Sequence, residues 1–178
     1  MVRQQAVSQY LIGVNNMGTK NFNSAKDLIT FTRASGGTAL SKISYGNELI
    51  TNGTFDTDSD WTLDAASSIT DGKLVTTKTN AGTIATQSVS FVAGKVYLVT
   101  FDFTNPNNRV LVPRLSGGTL SSLPKIGNGT GSYSNYITAK SGNNTFQWNS
   151  AGTGFQGTID NISVKEVLFD QADGTLQL

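Results

Sequence analysis

The chain of 178 residues contains no cysteine and no histidine. Without thiols there is no disulfide framework and no thiolate nucleophile. Without imidazole the commonest metal ligand and the commonest general base are both missing, so structural zinc is excluded as well. Charge is also scarce: 14% of residues are charged and the net charge is +1. Such a surface has no basic field for a phosphate backbone, and no nucleic-acid partner is expected. Long apolar runs are absent. The richest N-terminal stretch, Tyr10 to Val14, is far too short for a signal core or a membrane span, so neither a cleaved leader nor a membrane partner is expected. The absence of cysteine leaves the redox compartment open.

What remains is 37% hydrophobic residues, enough for a packed core, set among Ser, Thr, Asn and Gly. Residues 1–45 are thin in apolar content and broken by Asn15-Asn16, Gly18 and Gly36-Gly37. Only Asp27 to Arg33 alternates like a strand, with Leu28, Thr30 and Thr32 opposing Ile29, Phe31 and Arg33. A segment this sparse buries too little area to offset its ordering entropy by itself. The expectation is an extended arm that orders against a partner, with Leu28, Ile29, Phe31 and Arg33 as its contacts; the alternatives are a disordered leader or a strand added to the main sheet.

From about Asn47 the pattern becomes regular. Asp71-Gly72 is a strong hairpin signal ahead of a strand over Lys73–Lys78. Thr83–Val92 alternates next, and Lys95–Thr104 is the clearest strand, with Tyr97, Val99, Phe101 and Phe103 on one side. Val96 and Leu98 on its other side suggest cover on both faces. In Asn108–Leu115, Pro113 suggests an edge strand or a bulge. Tyr133–Thr138 and Asn143–Ser150 follow, the latter grouping Phe146 with Trp148. The closing strand holds Ile159, Ile162 and Val164, and its change of parity at Asp160-Asn161 predicts a bulge. No stretch has a helical stripe with caps. Many short strands at turn-marked intervals predict an all-β, two-sheet antiparallel sandwich of jelly-roll type.

Catalytic constellations are hard to find. Twelve acidic residues are present, but Asp64, Asp71, Asp102, Asp170 and Asp173 fall in turns or at solvent-facing positions. There is no nucleophile elbow, P-loop or dinucleotide fingerprint. Asp56, Asp58 and Asp60 imitate the start of an EF-hand loop, but Trp61 stands where Gly is needed and Ser67 where Glu is needed. No enzyme is expected. Among the aromatics, Trp148 and Tyr136 are the candidates for stacking on a sugar ring, beside Gln147 and Asn135. Alternating aromatics are more often core, and Trp61 is expected to plug it.

Two motifs frame the regular region: Asn47-Glu-Leu-Ile-Thr-Asn-Gly-Thr-Phe-Asp56 with Trp61, and Gly157-Thr-Ile-Asp-Asn-Ile-Ser-Val-Lys-Glu-Val167. The frame resembles the jelly-roll carbohydrate-binding modules of the family 4, 9 and 22 type. That resemblance implies a structural calcium near Asp56 and Asp160, with Asp56 standing where the family usually has Glu. The flanks Asp27–Ser35 and Val167–Asp170 are similar to segments of tailed-phage structural proteins, in which such a jelly roll decorates a capsid or tail. Together they imply an arm (1–45), a sandwich (46–167) and a tail (168–178). The implied function is a non-enzymatic virion protein, a capsid decoration or cement protein on the capsid surface. Its implied partners are the major capsid protein and neighbouring copies of itself, as a homotrimer by analogy. The alternative is a carbohydrate-binding module, on a phage tail or as an accessory to a cell-wall enzyme.

Overall fold

The structure is a computed structural model that describes residues 43–107, 109–127 and 129–169. Eleven strands are formed, and no helix occurs among the described residues. One sheet contains β3 (Ser67–Thr70), β4 (Lys73–Lys78), β11 (Phe155–Phe169), β6 (Val96–Asn105) and β9 (Gly129–Thr138), in that order, with β1 (Ile43–Glu48) paired to the far half of β11. The other contains β2 (Thr62–Leu63), β5 (Gly82–Ser88), β10 (Thr145–Ala151), β7 (Val110–Ser116) and β8 (Ser121–Ser122). Every pairing is antiparallel. From β4 to β7, and again from β9 to β11, the chain changes sheet at each step, which wraps the sandwich as a jelly roll.

Local chemistry accounts for the elements. β3 and β4 meet through Asp71 (φ 51°) and Gly72 (φ 67°), two consecutive left-handed residues of the kind a tight hairpin turn requires. Along β6, Tyr97, Val99 and Phe101 are buried between the sheets while Leu98 and Thr100 face outward and are half-buried. Phe146 and Trp148 on β10 are fully buried, and the Trp148 ring meets Phe101 (4.6 Å) and Phe146 (5.2 Å) edge-on. Burying aromatics of this size contributes roughly 1.5–3 kcal/mol each, so this trio is a main anchor between the layers.

Pro113 lies in a strand flanked on both sides, not at an edge. The physical reason is directional. Leu111 exchanges N–H···O bonds with Ile126 (3.0 and 2.9 Å), which turns the odd-numbered backbone groups of β7 away from β10. The donor missing at Pro113 therefore faces the side where β8 is only a fragment, and its carbonyl still accepts from Leu123 N–H at 2.9 Å.

The expected boundary between residues 45 and 46 falls inside β1, and β11 runs past Val167 to Phe169. Pairing of Ile43 with Phe169 and Ser44 with Leu168 explains both extensions. The arm residues Leu28, Ile29, Phe31 and Arg33 and the tail from Asp170 lie outside the described residues. Among the described residues no helix is long and apolar enough to cross a membrane.

Candidate functional site

The two framing motifs come together as a clasp. Leu49 N–H donates to Val164 O at 3.0 Å, and Ile162 N–H donates to Gly53 O at 2.9 Å. Glu48 Oε1 accepts from the backbone N–H groups of Leu49 (3.1 Å), Ile50 (3.1 Å) and Val164 (2.8 Å), while Oε2 accepts from the Ser163 hydroxyl. Asn52 donates through Nδ2 to Thr57 O and Ser59 O, and its own carbonyl accepts from Trp61 Nε1 at 3.1 Å. Trp61 is partly buried, packing on Phe55 (centroids 5.4 Å apart) and edge-on to Phe146. The motif residues thus bond one another and close the sandwich.

The carboxylates nominated for calcium are engaged separately. Asp56 Oδ2 accepts from the Thr54 hydroxyl at 2.6 Å. Asp160 accepts from Lys73 Nζ at 3.0 Å and from Asn161 N–H at 2.7 Å. The second of these bonds caps the predicted bulge: Asn161 has φ 51°, and the β11–β6 register shifts between Asp160 and Ser163. Lys73 supplies Asp160 with positive charge from within the chain. No group of three or more Asp or Glu side chains gathers among the described residues, whereas a calcium cage draws on six to eight oxygens.

The two candidate stacking aromatics part company. Trp148 is fully buried in the core, so neither face of its ring is open to a sugar. The cause is parity, since Trp148 shares the inward side of β10 with Phe146. Tyr136 is 49% exposed on the outer face of the six-stranded sheet. Its hydroxyl lies 3.4 Å from that of Tyr45, and this hydrogen bond raises the Tyr45 hydroxyl pKa.

Register grades that outer face from apolar to polar. Tyr45 lies opposite the buried Val167, and Lys165, Leu98 and Tyr136 form the next row. Ser163, Thr100 and Ser134 follow, then Asp160, Asp102 and Ser132, then Thr158, Thr104 and Thr130. The last two rows and Lys73 line an open cleft of about 320 Å³. Asp102 accepts from the Ser132 hydroxyl and, at 2.7 Å, from Asn161 Nδ2. These bonds, Ser132 first, hold its carboxyl below the usual range. A general acid in hydrolysis needs the opposite shift. The cleft is suited to holding hydroxyl or amide groups. Its members were hidden in the sequence because parity puts Asp102 outward but does not say which strands flank it.

The five-stranded sheet presents Arg114, Gln147, Asn149, Val112 and Thr83 outward. Gln147 Nε2 donates to Thr83 Oγ1 at 2.5 Å, and burial lowers the Arg114 pKa. Arg114 Nε and Asn149 Oδ1 have no hydrogen-bond partner among the described residues. Asn149 is buried while Arg114, Gln147 and Thr83 are half-buried, and no sequence signal marks this.

No protein-family model matches this chain, and no curated protein matches it. Among solved structures, the enzymatically active domain of bacteriophage CBA120 tailspike protein 4 is similar at 16% identity and a TM-score of 0.43. The likeness covers 68% of this chain and 21% of that one, so the chain spans about a fifth of its length. The architecture itself is an all-β sandwich of two antiparallel sheets.

Proposed function

We propose that this chain is a non-enzymatic structural protein of a tailed-phage virion that decorates and stabilises the capsid exterior. The observation that carries the reading is the pairing of Ile43 with Phe169. It sets the first and last residues of the described sandwich side by side at one end of one sheet, where Ile43 and Tyr45 are exposed. A rigid jelly roll whose two chain ends lie together suits attachment to a surface from one side. The arm, with Leu28, Ile29, Phe31 and Arg33, supplies backbone pairing or apolar anchors to capsid subunits. Because the protein binds the assembled lattice and not its free parts, mass action stabilises the shell. The test is attachment of the chain lacking residues 1–41 to capsids stripped of the natural protein. Loss of attachment supports the reading, and unchanged attachment removes the arm from it.

A carbohydrate-binding module is the second reading, favoured by Tyr136, which is exposed on the same face as the polar cleft. A glycan array run with the natural chain and Tyr136→Ala separates the two. Sugar binding lost in the variant supports recognition of a glycan.

A further inference from the structure

Among the described residues, β9 is the outermost strand of its sheet and is paired with β6 alone. Ala139 N–H donates to Lys95 O at 2.9 Å, and Gly94 N–H donates to Ala139 O at 2.8 Å. The odd-numbered residues of this strand therefore direct their backbone groups at β6. By the alternation of an antiparallel ladder, Thr130, Ser132, Ser134, Tyr136 and Thr138 direct theirs at the open edge. Tyr136 N–H is taken by Asn135 Oδ1 at 2.8 Å, and Thr138 O by the Ser121 hydroxyl at 2.7 Å. Among the described residues no backbone partner serves the others.

The remaining edges differ from this one. β2 and β8 have 2 residues each, β3 has 4, and β1 carries Glu48. β9 extends over 10 residues, Gly-Thr-Gly-Ser-Tyr-Ser-Asn-Tyr-Ile-Thr, without a charge, a proline or a shift of register against β6. Exposed edges are ordinarily protected by lysine, proline or a bulge, and β9 has none of the three.

We infer that β9 pairs antiparallel with β9 of a second copy of this chain, joining two sheets across a two-fold axis at Tyr133. Self-pairing sets the strand against its own sequence, so any charge in it would lie near its like. β9 carries none, and the whole chain has a net charge of only +1. An axis at Tyr133 matches the edge-directed residues to one another: Ser132 with the partner's Ser134, and Thr130 with the partner's Tyr136. Each Ser132–Ser134 pair exchanges two backbone hydrogen bonds, and each Thr130–Tyr136 pair does so once Tyr136 N–H exchanges Asn135 Oδ1 for the partner strand. Tyr133, half-buried with its ring 4.9 Å from Phe101, would meet its own copy and extend the aromatic layer across the junction.

Sedimentation velocity of the full chain over a wide concentration range reads the association directly. A reversible dimer is expected. Ser134→Pro removes an N–H that makes no bond to β6, and Ser134→Lys, at an exposed position away from Asp102, places like charges beside the axis. Each is expected to weaken dimerisation about tenfold or more, with circular dichroism and melting temperature unchanged. Since the chain has no cysteine, Ser134→Cys, at the same exposed position, accepts a single nitroxide, and strong dipolar broadening is expected even if the other variants misfold. A monomer at all concentrations, or a trimer or other oligomer indifferent to both substitutions, would overturn the pairing. A sensitive dimer that never attaches to capsids would keep the pairing and remove the capsid reading.

Discussion

Gly53 and Ile162 join the two ends of the sandwich so closely that no side chain fits between them. Ile162 N–H reaches Gly53 O at 2.9 Å, and a Cβ on Gly53 would lie 2.2 Å from the Ile162 carbonyl oxygen. That obstacle is backbone in the bulge of β11, so it cannot swing aside as a side chain would. Gly53→Ala is expected to cost about 2–4 kcal/mol, in the range of overpacked or strained sites. Denaturant unfolding checks it, and a loss within roughly 0.5 kcal/mol would mean that the clasp yields easily.

Trp148 and Tyr136 should separate stability from surface behaviour. Trp148→Ala opens a cavity between the sheets and is expected to cost about 3–5 kcal/mol. Trp148→Phe should cost less, because it also removes an indole N–H that lacks a partner among the described residues. Tyr136→Ala, at an exposed position, should stay within about 0.5–1 kcal/mol. Thermal melts of the three variants test the ranking, and equal losses would contradict the burial assigned to Trp148.

Acid should weaken the fold through Asp64. Burial pushes its carboxyl pKa up, but hydrogen bonds from Lys78, Ser67 and Ala66 N–H outweigh that and hold it below the usual value. A carboxyl depressed in the folded state contributes stability that is fully present above its unfolded pKa of about 3.9 and is lost as pH falls toward the folded value. Asp102, depressed mainly by Ser132, acts in the same direction. Melting temperature should therefore fall as pH drops below about 4, and Asp64→Asn should flatten that fall. An unchanged slope in the variant would exclude Asp64 as a contributor.

A fragment of residues 42–170 should fold by itself. Lys42–Asp170 forms one compact unit containing every described strand. A single cooperative melt with coincident probes is expected. A broad or absent transition would show that the flanks are needed for the sandwich to form.

Much of the fold was legible because strands betray themselves by parity. The inward set Tyr97, Val99 and Phe101, the hairpin at Asp71-Gly72 and the bulge at Asp160-Asn161 all follow from spacing and turn chemistry. Cross-strand neighbours were not legible, because register depends on pairings between distant segments. Asp102 therefore read as plain solvated surface, although Ser132 and Asn161 converge on it. Lys73 as the partner of Asp160 was hidden for the same reason, 87 positions away in the chain. Trp148 shows the limit from the other side. An aromatic in an alternating strand fits a core or a ligand platform, and only the position of the second sheet decides.

The most direct test of the capsid reading is the copy number of this protein in purified particles, measured by quantitative mass spectrometry against the major capsid protein. Decoration predicts a stoichiometry close to that of the capsid protein. A few copies per particle would transfer the chain to the tail and favour glycan recognition, and complete absence from particles would contradict the account.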